Sequence, residues 1–229
     1  MELKKLGDVL GFILTGVVVI CAAGLAMPHA GGPDFSFPFQ KTASIGFVLV
    51  GVVFGALRTW YGRFVLLGLL FCLGGDYFGV GHRFVLSLSS FLLGHLAYVA
   101  AFALHGISGR RILAMLPIAL LAVAAIVPWL FPHVPAAERV PVIAYVTVIT
   151  SMLITAGGSS TGSTGKLIIT AAVLFFVSDI FVARWKYVST ESINGLFCYP
   201  LYYAACLCYG WTIFLDLRER KSVAPRAKS

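Results

Sequence analysis

Residues 167–183 read LIITAAVLFFVSDIFVA, an apolar run in which Asp179 is the only charged residue. A run of this length approaches the roughly 20 residues that an α-helix needs to cross the hydrocarbon of a bilayer. The run therefore predicts a membrane-spanning helix with a carboxyl group inside it. Such a group is unusual, because an isolated charge is poorly solvated by lipid.

The same character extends over the chain, which has 229 residues, 59% of them hydrophobic and 11% charged, with a mean hydropathy of +0.94. A soluble domain carries about 25% charged residues. Eight apolar runs, separated by Gly, Pro, Arg or Lys clusters, are found at 9–27, 43–58, 62–78, 84–104, 112–131, 139–156, 166–183 and 196–215. They predict an all-α, polytopic membrane protein, and the composition excludes a separate soluble catalytic domain.

We expect residues 1–229 to form one bundle of about eight transmembrane helices, with a short N-terminal segment and a basic tail over 216–229. The first run is longer than the h-region of a signal peptide, about 7–15 residues, so a retained helix is favoured.

The formal net charge of +8 does not predict nucleic-acid binding, because the basic residues are scattered over loop ends. Under an eight-helix topology, 12 of the 17 Lys and Arg residues fall on one side. By the positive-inside rule, this side is cytoplasmic. We therefore expect a cell (inner) membrane protein with both termini in the cytoplasm. The five basic residues left on the outer side are Lys41, Arg83, Arg139, Arg184 and Lys186.

Two of the nine acidic residues lie inside apolar runs, Asp76 in LLFCLGGDYFG and Asp179 in the seventh run. A carboxylate at the centre of a membrane helix costs about 2.5–3.5 kcal/mol even on permissive scales, so it normally faces an internal cavity and has a function. Asp76 lies 13 positions after Arg63, and Asp179 lies 13 positions after Lys166. At about 1.5 Å per residue, both carboxyls are roughly 20 Å from the cytoplasmic face. We expect them to share one cavity.

Other polar residues are candidate neighbours of this cavity. His95 and Tyr98 are three positions apart in the fourth run and so share one face of a helix. Tyr145, Tyr202 and Tyr203 also fall in apolar runs. Their default interpretation is anchoring at the membrane interface.

Two glycine-rich stretches carry separate predictions. Residues 157–166, GGSSTGSTGK, lack the spacing of a phosphate-binding Walker loop, and the GxSxG match within them needs a strand-to-helix turn. We predict a flexible cytoplasmic loop there. The pair Gly74-Gly75 is predicted to break the end of the third helix.

No metal or other cofactor is predicted. His95 has no His or Cys at i+4, and the five cysteines form no CxxC pair and all fall in apolar runs. They are interpreted as buried hydrophobic residues.

Two carboxyls in a low-dielectric pocket are not both ionised cheaply, so one is expected to stay protonated and act as an acid beside a base. This suits hydrolysis of an acid-labile bond through an oxocarbenium-like state. It suits proton-coupled transport equally well. A non-enzymatic scaffold is a third alternative. No convincing internal repeat, which would favour a transporter, relates residues 1–115 to 116–229.

Five segments, in this order, resemble the YhhN-like integral membrane lysoplasmalogenases over about residues 64–215. They are GLLFCLGGDYFG (68–79), FLLGHLAYVAAF (91–102), YVTVITSMLITAGG (145–158), VLFFVSDIFVA (173–183) and LYYAAC (201–206). The resemblance implies a membrane hydrolase that cleaves the vinyl ether of a lysoplasmalogen taken from the bilayer. The products are a fatty aldehyde and glycerophosphoethanolamine or glycerophosphocholine.

The resemblance also implies the site residues. The family's Gly-Asp and Ser-Asp elements give Asp76 and Asp179 as the catalytic pair. The residues that match its supporting or substrate-binding positions are His95, Tyr98, Ser178, Tyr145, Tyr202, Tyr203 and Lys41. Lys41 is followed here by Thr42, where the family commonly has Pro.

Overall fold

The computed structural model describes residues 2–32, 36–80, 83–159 and 161–223. Within these ranges the chain forms eight α-helices and no β-strand, which confirms the predicted all-α bundle. The helices are α1 (Glu2–Ala26), α2 (Ser36–Val53), α3 (Trp60–Val80), α4 (Phe84–His105), α5 (Gly109–Leu130), α6 (Arg139–Gly158), α7 (Gly162–Tyr187) and α8 (Ile193–Val223).

Six of these helices, α1 and α3 to α7, are long and apolar enough to cross a membrane. The apolar part of α2 is shorter, Pro38–Val53. The most extensive helix pairs are α3 with α4, α7 with α8 and α1 with α2. The bundle is therefore built largely from neighbouring antiparallel pairs, as short connections favour.

Two helix boundaries differ from the sequence prediction. The second helix ends at Val53 rather than near residue 58, since Gly55 has a φ of +90° and a short 3₁₀ turn over Ala56–Arg58 follows it. Glycine adopts this left-handed conformation without the steric cost of a Cβ atom. The last helix continues to Val223, past the predicted end at residue 215.

The predicted flexible loop over 157–166 is wrong for most of its length. Gly157 and Gly158 belong to α6, and α7 begins at Gly162, whose φ is +63°. The Glu219 carboxylate accepts hydrogen bonds from the backbone N–H groups of Ser163 at 2.8 Å and Thr164 at 3.2 Å. These are two of the N–H groups that the first turn of a helix leaves unpaired. A side chain of α8 therefore orders this segment into a helix start.

Gly74 and Gly75 do not break the third helix, which continues to Val80. They instead allow α4 to approach α3. A Cβ atom at Gly75 would lie 2.6 Å from the Phe91 ring, and one at Gly74 would lie 2.8 Å from the Ser90 hydroxyl. Real Cβ atoms do not approach this closely, so the glycines set the distance between the two helices next to Asp76.

The fifth helix is peripheral. It packs mainly on α6, and only Ala119 and Leu130 along its length are buried. By contrast, four of the five cysteines, Cys21, Cys72, Cys198 and Cys206, are buried as predicted, whereas Cys208 is only half-buried. All five are free thiols.

Candidate active site

A cavity of about 690 Å³ lies within the bundle, between residues of α2 to α8. This volume falls in the range of small-molecule binding pockets, about 300–1,000 Å³. Apolar side chains from α4, α5, α6 and α7 form most of the wall. Among the described residues, the charged ones that line it are Asp76, Asp179 and Lys186. Both intramembrane carboxyls are therefore in one cavity.

The Asp76 carboxyl is held by hydroxyl groups from two other helices. Its Oδ2 atom lies 2.5 Å from the Ser44 hydroxyl on α2 and 2.8 Å from the Tyr202 hydroxyl on α8. The Ser44 hydroxyl also lies 2.8 Å from the backbone carbonyl of Gln40 and 3.2 Å from the Tyr203 hydroxyl. The short O···O distances are those of strong O–H···O bonds. Asp76 is thus fixed at the junction of α2, α3 and α8.

The Asp179 carboxyl has a different set of partners. Its Oδ2 atom accepts a hydrogen bond from the Tyr145 hydroxyl at 2.6 Å. The same hydroxyl lies 2.9 Å from Nε2 of His95, which is fully buried. The distance from that nitrogen to Asp179 Oδ2 is 3.7 Å. A chain of polar groups therefore runs from α4 through α6 to the carboxyl on α7.

The tyrosines predicted by default to anchor the membrane interface have another position. Tyr145 and Tyr202 line the cavity and donate to the two carboxyls. Tyr203 is buried behind Asp76, with its hydroxyl near Ser44 and 3.4 Å from the carbonyl of Gln40. The interpretation as interface anchors is wrong for these three residues, because a buried phenol needs a hydrogen-bond partner and finds it here inside the bundle.

Three further predicted site residues, Ser178, Tyr98 and Lys41, do not direct a polar group into the cavity. Ser178 lines it, but its hydroxyl donates to the carbonyl of Phe175 at 2.7 Å. Tyr98 is fully buried, stacks on Tyr209 at 4.1 Å between ring centroids, and does not line the cavity. Lys41 is exposed on α2 and also lies outside the lining.

Two residues at the site have no counterpart in the sequence prediction. Ser44 touches Asp76, and Gln40, one helical turn earlier, contributes a carbonyl to the same cluster and lines the cavity. The available signal was a polar pair at i and i+4 in the polar stretch QKTAS (40–44), at the start of an apolar run. Serine and glutamine in membrane helices often satisfy themselves locally, so this signal does not single them out.

A cluster of polar and aromatic residues surrounds the part of the cavity nearest the C-terminal end of α7. Lys186 lines the cavity there, with its ammonium group 4.6 Å from the centroid of the Phe84 ring. The neighbouring Arg184 is paired with Glu191 at 2.7 Å and also donates to Asn194 at 2.7 Å. Hydrogen bonding to Arg184 lowers the pKa of the exposed Glu191 carboxyl. Arg184 is therefore engaged, and Lys186 faces the cavity.

In the part of the chain that the structure describes, no group of three His, Cys, Asp or Glu side chains is placed to hold a metal ion. The charged groups at the cavity, among the described residues, are two carboxyls on separate helices and one ammonium group. Such a set can transfer protons and bind an anion.

The fold and this cavity define a polytopic α-helical membrane protein with a two-carboxyl internal site. The chain belongs to the YhhN family, whose model matches residues 36–212. The match covers α2 to α7 and most of α8, and therefore both carboxyls and the hydrogen-bond partners of Asp76 and Asp179 described above. No curated protein and no solved structure matches the chain.

Proposed function

We propose that the protein is a membrane-embedded lysoplasmalogenase, which hydrolyses the vinyl ether bond of a lysoplasmalogen. The observation that carries the proposal is the presence of Asp76 and Asp179 in one cavity, each with its own hydrogen-bond donors. Vinyl ethers are cleaved by acid, and an acid beside a carboxylate supplies both the proton and the stabilisation of the cation that follows.

The cavity also suits the shape of the substrate. Its wall contains aliphatic and aromatic side chains from the membrane-spanning helices, among them Val123, Ile126 and Phe91. Such a wall accepts a single alkyl chain by the hydrophobic effect. A lysophospholipid carries one such chain and a polar head, so it matches an apolar cavity that has charged groups at its boundary.

The hydrogen bonds around Tyr145 support a role for Asp179 as the ionised carboxylate. Tyr145 has one hydroxyl proton, and in donating it to Asp179 it must accept from Nε2 of His95. Nδ1 of His95 is then a bare acceptor, and it is buried without a hydrogen-bond partner. The opposite direction would leave a buried N–H unpaired at Nδ1, which proteins avoid more strictly. The hydrogen bonds from His95 to Tyr145 and from Tyr145 to Asp179 therefore both run toward the Asp179 carboxylate.

Because two carboxylates in one low-dielectric cavity repel each other, we assign the proton to Asp76, on Oδ1, since the Ser44 and Tyr202 hydroxyls contact Oδ2. Asp76 donates this proton to the vinyl carbon distal to the ether oxygen, and an oxocarbenium ion forms. Asp179 stabilises the cation and accepts a proton from the attacking water, which gives a hemiacetal. In its collapse, the hemiacetal hydroxyl returns a proton to Asp76, and Asp179 protonates the departing glycerol oxygen. An aldehyde and a glycerophospho-alcohol leave, and both carboxyls return to their starting states.

We further propose that the protein is located in the cell membrane with both termini cytoplasmic, on the charge distribution given above. In this orientation Asp76 and Asp179 lie in the outer half of the bilayer. The substrate enters from the surrounding lipid.

The test is aldehyde release from a lysoplasmalogen by the purified protein in a neutral detergent, followed by a coupled alcohol dehydrogenase and loss of NADH absorbance. We expect release by the wild type and a loss of at least about 100-fold in Asp76→Asn and Asp179→Asn, since each removes a group that acts in the reaction.

Asp8→Asn is the matched control, because the Asp8 carboxylate pairs with Arg218 at 3.5 Å and lies outside the cavity lining. All variants are compared by thermal unfolding. A folded wild type that releases no aldehyde refutes the hydrolase, and proton-coupled transport in liposomes is then the next assay. Full activity in either cavity variant refutes the acid-pair mechanism.

A further inference from the structure

Lys186 differs from the other basic residues near its end of the bundle. Of the charged residues lining the cavity, it is the only cation. Arg184 is paired with Glu191, and the nearby Glu138 accepts from the Tyr187 hydroxyl at 2.7 Å. Within the described residues, no carboxylate is paired with Lys186. Its ammonium group lies instead over the Phe84 ring. A cation beside an apolar cavity and without a protein counter-ion is suited to an anionic ligand group.

Lys186 and Asp179 lie on the same helix, so their separation along the helix axis is known. The two residues are seven positions apart on α7, which is a rise of about 10 Å and almost two complete turns. They therefore share one face of the helix, and both line the cavity. A lysine side chain in a helix leans toward the N-terminus. Lys186 is exposed, and its ammonium group lies over the Phe84 ring, 4.6 Å from the ring centroid, at an accessible part of the cavity.

We propose that Lys186 binds the phosphate of a single-chain glycerophospholipid whose reacting bond lies at the level of the two carboxyls. This inference rests on the proposed function and extends it to the recognition of the head group. Five single bonds separate the ether oxygen at the sn-1 position from phosphorus, and two more bonds lead to the carbon that is protonated. With bonds of about 1.5 Å, the extended distance from that carbon to phosphorus is about 8 Å. This length is within about 2 Å of the rise of about 10 Å between Asp179 and Lys186 along α7, a difference that the lysine side chain can span.

The proposal makes the phosphate a requirement for tight binding. A lipid with the same vinyl ether but no phosphate, a 1-alkenylglycerol, has nothing for Lys186 to bind. Lipids that carry the vinyl ether on a glycerophosphate are therefore expected to bind more tightly than the matching neutral lipids.

The experiment compares Lys186→Gln with Lys186→Arg, which keeps the charge. Lys166→Gln is the control, because Lys166 is exposed at the opposite end of the same helix and does not line the cavity. For each variant, kcat and KM are measured on a lysoplasmalogen and on the matching 1-alkenylglycerol. On the lysoplasmalogen we expect Lys186→Gln to raise KM about tenfold with kcat within about twofold, the effect of one charge-assisted hydrogen bond. On the alkenylglycerol we expect no change. Lys186→Arg and Lys166→Gln should resemble the wild type on both lipids.

A binding measurement separates this proposal from the proposed function. A radiolabelled alkyl-ether lysophosphatidylcholine has no vinyl group and is not hydrolysed, but it has the chain and the phosphate. We expect the wild type to bind it and Lys186→Gln to bind it about tenfold more weakly. This result without any aldehyde release would support the phosphate site and refute the hydrolase. Equal losses on both substrates, an unchanged KM in Lys186→Gln, or no binding by the wild type would overturn the phosphate site.

Discussion

Removing one hydroxyl group tests whether the polar chain behind Asp179 serves the reaction. In Tyr145→Phe, the Asp179 carboxylate loses its donor at 2.6 Å, and Nε2 of His95 loses its acceptor at 2.9 Å. The next nearest pairing of these two groups is at 3.7 Å, beyond hydrogen-bond distance. The substitution therefore leaves the carboxylate free to rotate and leaves a buried imidazole N–H without a close partner.

A hydrogen bond to a charged group contributes about 1.5–3 kcal/mol. If this energy holds the carboxylate in its reactive position, its loss lowers kcat about 10- to 150-fold, at about 1.4 kcal/mol per factor of ten. KM should change less than kcat, because the bond does not hold the lipid. The assay is aldehyde release at saturating and limiting lysoplasmalogen.

Tyr209→Phe is the matched control for Tyr145→Phe. Tyr209 is also buried and does not line the cavity, and its hydroxyl donates to the Met152 thioether at 3.1 Å. Both variants lose one oxygen atom from a buried ring. If the kcat values of Tyr145→Phe and Tyr209→Phe agree within about twofold, the assignment of Tyr145 as a positioning residue is refuted. A general loss of packing would then explain the activity of both variants.

Two further predictions concern stability and topology. Glu219→Ala should lower the free energy of unfolding by about 0.5–2 kcal/mol, the usual effect of losing a helix N-terminal cap, whereas Glu191→Ala should lower it less, because its ion pair is on the surface. Thermal unfolding in detergent measures both, and equal shifts would contradict the capping role. In intact cells, an impermeant thiol reagent should label Arg83→Cys but not Arg110→Cys, with the wild type as background. The reverse pattern would overturn the orientation.

The sequence predicts the helices well because every membrane-spanning segment meets the same environment, the hydrocarbon of the bilayer. Any segment that crosses lipid must be apolar and must satisfy its own backbone, so composition alone locates it. The same constraint makes Asp76 and Asp179 conspicuous, and their equal spacing from Arg63 and Lys166 places them at one level. Depth along a helix follows from counting residues, and this explains why the two carboxyls are found in one cavity.

Contacts between helices are harder to predict from the sequence, because the rotation of each helix about its own axis depends on its neighbours. The sequence does not distinguish Tyr202, which touches Asp76, from a tyrosine at the membrane interface. Gly74 and Gly75 suggest a break, but in the bundle they accommodate α4. The capping of α7 depends on Glu219, 57 positions after Gly162, and no local pattern reveals such a partner. Ser44 is missed for the same reason.

The peripheral position of α5 separates two tasks within the bundle. Val123, Ile126 and Leu130 of this helix form part of the cavity wall, but α5 supplies no hydrogen-bond partner to either carboxyl. The groups that hydrogen-bond to the carboxyls come from α2, α6 and α8. If the proposed function is correct, a displacement of α5 would open the cavity to the surrounding lipid without breaking a hydrogen bond to either carboxyl. Release of an apolar product on this side would then not require the partners of Asp76 and Asp179 to rearrange in each cycle.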